Sequence, residues 1–197
     1  MKIRLASPTI QKDSIVDGEG IRSVIWTQGC IHKCPGCHNP ETHDLNGGFE
    51  VEVDDLKKQI SALVGQDGVT LSGGDPLEQA KACAEIAKYC KKLGLSVWCY
   101  TGYTFESLLE KSKTNRSIME LLKNVDILVD GRFIKSLKSY DVVFRGSKNQ
   151  RLIDVPNSLK TKKTVLVKKF DDDKVNSRGR KNQYMYLWFF FFIKKRS

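Results

Sequence analysis

Three of the six cysteines and all three histidines of this 197-residue chain lie within residues 28–43, QGCIHKCPGCHNPETH. The cysteines are spaced Cys30-x3-Cys34-x2-Cys37. Thiolates at short spacing bind zinc or iron–sulfur clusters, and a structural zinc site needs four ligands. Three thiolates could hold three irons of a [4Fe-4S] cluster and leave the fourth open, or they could hold zinc together with a nearby histidine. The spacing alone leaves both chemistries open.

A Gly-Gly turn forms a second candidate element, SGGDP at residues 72–76. Gly73 and Gly74 carry no Cβ, so the backbone here can approach a ligand closely or adopt positive φ. Asp75 could then accept a hydrogen bond from a protonated amine. The alternative is an ordinary tight turn in which Asp-Pro begins the next helix.

The elements that must position these residues alternate between strand and helix. Between Arg22 and about Asp130, short β-branched or aromatic runs alternate with amphipathic stretches, which predicts an α/β fold with a mainly parallel sheet. In such a sheet the carboxyl ends of the strands meet at one edge. The cysteine triplet, the Gly-Gly turn, Thr101 and Asp130 each follow a predicted strand, so we expect them at that edge.

Two helical patterns predict residues of the hydrophobic core. In VDDLKKQISALVG, Leu56, Ile60, Leu63 and Val64 share one helical face, behind Asp54 or Asp55 as the N-cap. Cys83 and Cys90 lie seven residues apart on one face of the next helix, where free cysteine behaves as a small hydrophobe.

Charge and hydropathy divide the chain at about residue 160. The net charge is +10, but residues 161–197 carry a net +8 and residues 1–160 only +2. The basicity therefore gives no reason to expect that the folded body binds nucleic acid. The tail contains ten apolar residues at 184–193, too few for the roughly 20 of a membrane span. We expect the tail to be disordered or peripheral.

The cellular compartment follows from the amino terminus and the cysteines. The opening Met1-Lys2-Ile3-Arg4 is not followed by a signal-peptide pattern. Clustered cysteines without a secretory signal favour metal ligation in a reducing compartment over disulfides. We therefore expect a cytoplasmic protein.

Four segments together resemble one family. The segments SIVDGEGIRSVIWTQGCIHKCPGCHNPETH (14–43), LSGGDPL (71–77), WCYTGY (98–103) and DGRF…FRGSKNQR (130–151) are similar, in this order, to radical S-adenosylmethionine (SAM) activases, in particular those of anaerobic ribonucleoside-triphosphate reductase. The resemblance covers about residues 1–158. It implies a partial (β/α) barrel of radical SAM type in an activase domain of residues 1–160, followed by the basic and aromatic tail 161–197.

The resemblance also implies cofactors, partners and a reaction. Cys30, Cys34 and Cys37 would bind a [4Fe-4S] cluster, and SAM would chelate the open iron. Reduction by a flavodoxin or a ferredoxin-like donor would cleave SAM to methionine and a 5′-deoxyadenosyl radical. That radical would abstract hydrogen from a glycine of the large subunit of the reductase. No side chain is assigned an acid, base or nucleophile role.

The family's SAM contacts carry over to eight positions: Gly36, Cys37, His38, Gly73, Gly74, Asp75, Thr101 and Asp130. Gly36 stands where much of the superfamily has an aromatic residue that covers the adenine. The adenine would then be held by backbone around Gly36 and His38, or by another side chain. Arg145 and Arg151 either contact the partner or belong to a solvated basic loop.

Two alternative functions are consistent with part of these observations. A deazapurine synthase-like enzyme would use the same cofactors on a small molecule, although CPGCHNPETH and FRGSKNQR argue against it. A zinc-stabilised interaction module would lack catalysis and would bind RNA or membrane through its basic tail.

Overall fold

The computed structural model describes residues 1–170, which contain eight strands and five α-helices. The strands are β1 (Lys2–Leu5), β2 (Gln11–Ser14), β3 (Arg22–Thr27), β4 (Phe49–Glu52), β5 (Gly68–Gly73), β6 (Ser96–Tyr100), β7 (Ile127–Asp130) and β8 (Arg151–Asp154). The helices are α1 (Val53–Ser61), α2 (Ala80–Lys92), α3 (Phe105–Lys111), α4 (Arg116–Leu122) and α5 (Val155–Thr161).

The sheet is parallel at its centre and antiparallel at its edges. Strands β3, β5, β6 and β7 pair in parallel, and at least one helix separates each successive pair along the chain, as parallel pairing requires. Strands β1 and β2 pair antiparallel with β3, β4 with β1, and β8 with β7. The carboxyl ends of the four central strands therefore meet at one edge. The predicted α/β fold with a mainly parallel central sheet is confirmed.

The helices cover one face of this open sheet. Val97 and Cys99 of β6 point into the main hydrophobic core, together with the apolar sides of α1, α2, α3 and α4. Cys83 and Cys90 are fully buried there as free thiols, as predicted. Helices on one side of an open sheet are the layout expected of a partial (β/α) barrel.

The opposite face carries a smaller aromatic cluster and a buried cation. Trp98 packs edge-on against Phe144 and Phe170, with ring centroids 5.2 and 6.2 Å away. The fully buried Arg22 lies 5.4 Å from the Trp98 ring centroid and donates to the Thr70 hydroxyl at 2.7 Å. Burial lowers the pKa of Arg22 to about 10. Among the described residues, aromatic packing covers this face, and none of the five α-helices contributes to the cluster.

Helix α1 differs from its prediction at both ends. Its N-cap residue is Glu52, which makes no side-chain capping bond, so the prediction of Asp54 or Asp55 is wrong. Val64 is 89% exposed because α1 ends at Ser61 before the helical face reaches it. Of the remaining predicted face, Leu56 and Ile60 are buried, and Leu63 is partly buried against the core.

Several short elements had no sequence prediction. Strands β1, β2 and β4 are four residues each, and the polar β2 sequence QKDS carries no strand pattern. Helix α5 begins where the Asp154 carboxylate accepts from the backbone N–H of Asn157. For the region after residue 131, the sequence predicts an extended loop with one short β element, and strand β8 lies there.

The predicted domain division after residue 160 stays a prediction. Residue 160 lies within α5, and the chain beyond it continues along β8, where Val167 N donates to the carbonyl of Leu152 at 2.9 Å. The apolar run at 184–193 lies outside the described residues. Within residues 1–170, no helix has the length and apolar character to cross a bilayer.

Candidate iron–sulfur site

The cysteine loop, residues 29–43, leaves the carboxyl end of β3 and returns to its own start. The backbone N–H of Gly29 donates to the carbonyl of Thr42 at 2.8 Å, which closes the loop. A second bond, from Cys37 N to Cys34 O at 3.1 Å, forms a tight turn between two of the cysteines. All three thiols are therefore carried by one closed loop at the predicted edge of the sheet.

The thiols are free and partly exposed. Burial raises the pKa values of Cys30 and Cys37, and the nearby Cys34 raises both further, while backbone N–H groups oppose these effects. One of those donors is Asn39 N, which lies 3.4 Å from Cys37 Sγ. Hydrogen bonds to sulfur and partial burial are the features by which a protein tunes an iron–sulfur cluster.

The three thiols of the loop are donors of the kind that hold an iron–sulfur cluster. Among the residues that the structure describes, no group of three His, Cys, Asp or Glu side chains converges closely enough to hold one metal ion. The thiolates of a [4Fe-4S] cluster bind separate irons and need no common point. Three free thiols on one loop are a donor set suited to such a cluster.

The Gly-Gly turn packs directly against the start of the cysteine loop. A Cβ atom on Gly74 would lie 2.4 Å from the carbonyl oxygen of Gly29, and Gly73 has a φ of +98°. Gly74 N donates to the carbonyl of Thr27 at 2.7 Å, and Asp75 N donates to that of Gly29 at 2.8 Å. The close approach made possible by these glycines is to protein backbone.

The Asp75 carboxylate is fully buried and both of its oxygens accept hydrogen bonds. Oδ1 accepts from Leu77 N and the Thr101 hydroxyl, each at 3.0 Å. Oδ2 accepts from Gly102 N at 2.9 Å and lies 2.8 Å from His32 Nε2. An amine of SAM would have to displace one of these donors. The predicted contacts of Asp75 and Thr101 with SAM stay predictions.

His32 joins the cysteine loop to this carboxylate. Its ring packs edge-on against Tyr103, with centroids 4.5 Å apart, and lies so close to Gly102 that a Cβ there would be 2.4 Å from the ring. Arg132 Nε donates to His32 Nδ1 at 3.2 Å. Because Nδ1 accepts, we assign a neutral imidazole whose Nε2–H donates to Asp75.

The Asp130 carboxylate is also buried and bonded to protein groups. It is 1% exposed, accepts from Phe105 N at 2.8 Å and forms an ion pair with Arg151. Arg151 bridges to Glu106 at 2.7 Å, and this hydrogen bond lowers the pKa of Glu106 to about 2. The predicted contact of Asp130 with SAM, and that of Arg151 with the partner, stay predictions.

An aromatic ring from a distant segment lies beside Gly36. A Cβ atom on Gly36 would be 3.6 Å from Cε1 of Phe133 and 3.3 Å from the Lys135 side chain. The Phe133 and His38 rings are 5.1 Å apart and inclined at 46°. The loop after β7 therefore brings an aromatic side chain to the position where the cysteine loop itself has none.

The predicted site residues fall into two groups. Gly73, Gly74, Asp75 and Thr101 surround the base of the cysteine loop, whereas Gly36 and His38 lie on its outer side. The sequence reasoning missed Arg132 and Phe133, and it predicted that the three histidines of the loop, His32 among them, at most surround the cluster ligands. Their only signals were the position of His32 between two ligands and the Arg-Phe pair directly after a strand end.

Comparisons with known proteins agree on one family. The model of the family "4Fe-4S single cluster domain" matches residues 16–153. A protein named anaerobic ribonucleoside-triphosphate reductase-activating protein, from Salmonella typhi, is 35% identical over 147 residues, which cover 69% of this chain and 90% of that protein. Proteins of the same name from Escherichia coli K12 and Enterobacteria phage T4 are 33% and 34% identical, and this chain covers 90% and 86% of them.

The comparison with solved structures gives a partial match. The crystal structure of QueE from Escherichia coli matches with a TM-score of 0.41 and 18% identity, over 53% of this chain and 54% of that one.

Proposed function

This chain belongs to the family of anaerobic ribonucleoside-triphosphate reductase-activating proteins, and on that premise we propose that its cysteine loop is the centre at which it activates such a reductase. The observation that carries the proposal is the placement of three free, partly exposed thiols on one closed loop at the carboxyl edge of a parallel sheet. The reaction is an oxidoreduction that ends with a glycyl radical on the reductase.

The cofactors of this family are a [4Fe-4S] cluster and SAM. We assign Cys30, Cys34 and Cys37 as the cluster ligands. A cluster held by these three thiolates would leave one iron open for SAM and, when reduced, would supply the electron for SAM cleavage. The chain contributes the three thiolates, N–H donors such as Asn39 N beside Cys37 Sγ, and the turn that supports the base of the loop.

The SAM-binding surface is assigned to the outer side of the loop. Gly36, Cys37 and His38 are at least partly exposed there, and Phe133 provides an aromatic ring beside them. Purine bases stack favourably on aromatic side chains. We assign Phe133 and His38 to the adenine, with Gly36 leaving the space between loop and ring.

The buried acidic residues support this surface from below. Asp75 and Asp130 are 0% and 1% exposed, and their oxygens are occupied by protein donors. We therefore assign them, together with Thr101, Gly73 and Gly74, to positioning the strand ends and the cysteine loop. This assignment gives the SGGDP turn a role that does not require direct contact with SAM.

The protein partner is assigned to the loop between β7 and β8. This loop borders the cysteine loop through Phe133 and Lys135, and its cations Arg132, Lys135, Lys138 and Lys148 are exposed. Arg145 Nη2 donates a hydrogen bond to the carbonyl of Phe170 at 3.1 Å. We propose that the reductase docks on these exposed cations, so that its glycine reaches the outer side of the cysteine loop.

The electron donor and the compartment complete the proposal. We propose a reduced flavodoxin or a ferredoxin-like protein as the donor. Six free cysteines and an iron–sulfur cluster require a reducing compartment, so we propose the cytoplasm.

A two-stage anaerobic assay tests the function. The protein is reconstituted with iron and sulfide and treated with dithionite and SAM, and release of 5′-deoxyadenosine is measured. It is then mixed with an anaerobic ribonucleoside-triphosphate reductase, and a glycyl radical is sought by electron paramagnetic resonance (EPR). We expect both products. SAM cleavage without a radical on the reductase would move the substrate assignment to a small molecule.

A further inference from the structure

We propose that His32 is a positioning residue that fixes the cysteine loop to the ends of β5 and β6, so that Cys30 and Cys34 are held in place before a cluster is assembled. His32 lies midway between these two cysteines, so immobilising it restrains both neighbours. The inference rests on the proposed function only in taking the cysteines as cluster ligands.

The first support is the number of elements that meet at this one ring. Asp75 follows β5 and lies 2.8 Å from Nε2, and Arg132 follows β7 and lies 3.2 Å from Nδ1. Gly102 and Tyr103 follow β6 and pack against the ring itself. The ring thus links the cysteine loop to the carboxyl ends of three parallel strands.

The second support is the burial and polarity of the pair. The side chains of His32 and Asp75 are 4% and 1% exposed. In an interior of low dielectric, a hydrogen bond to a charged carboxylate is strong, and losing it leaves a buried acceptor without its donor. The loop therefore cannot move away from the strand ends without breaking a buried, charge-assisted bond.

The third support is the close packing of the ring against the strand end. The ring occupies the space that a side chain at residue 102 would need, with a hypothetical Cβ of Gly102 only 2.4 Å from the imidazole. The other neighbour of the ring is Tyr103, whose centroid lies 4.5 Å away. The glycine and the histidine are thus matched in shape as well as in hydrogen bonding.

The test begins with the cluster-free protein, in which no cofactor holds the loop. Amide hydrogen exchange is measured for peptides within residues 29–38 in wild type, His32→Leu and His32→Gln. We expect His32→Leu to exchange at least tenfold faster in this loop. We expect His32→Gln to remain near wild type, because the glutamine amide can donate to Asp75 and its carbonyl can accept from Arg132. Peptides covering α4 serve as the internal reference.

The same variants are then reconstituted anaerobically. Substituting a residue that orients metal ligands without binding the metal typically weakens metal binding by about tenfold or more. We expect His32→Leu to retain less iron at limiting supply and to give an altered EPR line shape in the reduced state, and His32→Gln to restore the wild-type spectrum. Restoration by a side chain with the same donor and acceptor is an effect that simple loss of packing would not produce.

A milder variant covers the case in which His32→Leu does not fold. Arg132→Met removes the donor to Nδ1 from an exposed position, and Lys148→Met removes an exposed charge elsewhere in the same loop. We expect faster exchange in residues 29–38 for Arg132→Met and no change for Lys148→Met. Wild-type exchange and spectra in both Arg132→Met and a folded His32→Leu would overturn the inference. A wild type that takes up no cluster would overturn the proposed function instead, whereas the exchange result would still decide the role of His32.

Discussion

A Cβ atom on Gly74 would lie 2.4 Å from the carbonyl oxygen of Gly29. The Gly-Gly turn after β5 and the first residue of the cysteine loop are thus in direct backbone contact, 45 positions apart in the chain. This contact gives the SGGDP sequence a structural reason: the second glycine is required because the loop that carries the cysteines passes directly over it.

Gly74→Ala is predicted to displace the cysteine loop. Overpacking of this kind costs about 1–3 kcal/mol of stability, and we expect reconstituted iron content to fall by more than half. Denaturant unfolding of the cluster-free protein and iron analysis after reconstitution measure the two effects. Gly65→Ala is the control: nothing lies within 4 Å of its Cβ, but its φ of +69° gives a cost of about 1 kcal/mol. Equal iron content in the two variants would contradict the prediction.

Comparing Cys34→Ala with Cys83→Ala distinguishes the loss of a cluster ligand from the loss of core packing. Cys34 is a partly exposed loop residue and Cys83 is fully buried. We expect Cys34→Ala to abolish SAM cleavage with little change in the unfolding midpoint. Cys83→Ala is expected to lower stability by about 1–2 kcal/mol and to retain the cluster. Visible absorbance, SAM-cleavage assays and urea titration provide the measurements, and a Cys34→Ala protein that still cleaves SAM would refute the ligand assignment.

Phe133→Ala is predicted to weaken SAM binding by about tenfold, because loss of one aromatic stacking partner costs roughly 1–2 kcal/mol. Phe133→Tyr should bind SAM as the wild type does. Equilibrium dialysis of the reconstituted protein with labelled SAM measures the affinity. Ile134→Ala, at an exposed neighbouring position, is the control for disturbance of the loop. An unchanged affinity in Phe133→Ala would remove Phe133 from the adenine site.

Glu106→Gln is predicted to reduce the acid sensitivity of the fold. The hydrogen bond from Arg151 lowers the pKa of Glu106 from 4.5 to about 2. A depressed carboxyl pKa stabilises the folded state above pH 4.5, and that contribution is lost as the pH falls from about 4.5 towards 2. Because the side chain is half exposed, we expect a difference of only about 0.5 kcal/mol.

Urea midpoints of the cluster-free proteins at pH 6 and pH 3 test this. Wild type should lose more stability between the two values than Glu106→Gln. A variant that loses as much as wild type would show that the ion pair with Arg151 contributes nothing to the acid response.

The central sheet was predictable because its signals are local. Buried parallel strands such as β5 read as short apolar runs between helical stretches, and both are visible within a dozen residues. Strands β1 and β4 pair with one another across 40 or more residues and are only four residues long, so their sequences carry little information about the sheet.

The candidate site divides in the same way. The three cysteines lie within eight residues, so their grouping is visible in the sequence. His32 meets Asp75 across 43 residues and Arg132 across 100 residues, and no spacing rule connects them. The sequence placed Asp75 at a strand end but could not indicate whether its carboxylate faces a ligand or the interior, because that depends on donors from the cysteine loop and from the end of β6 as well as from its own turn.

The cluster with one open iron is tested most directly by EPR of the reduced, reconstituted protein with and without SAM. The account predicts the signal of a reduced [4Fe-4S] cluster, with g values that change when SAM is added, because the iron without a cysteine binds the cofactor. A colourless protein with stoichiometric zinc, or a cluster signal that SAM leaves unchanged, would contradict it.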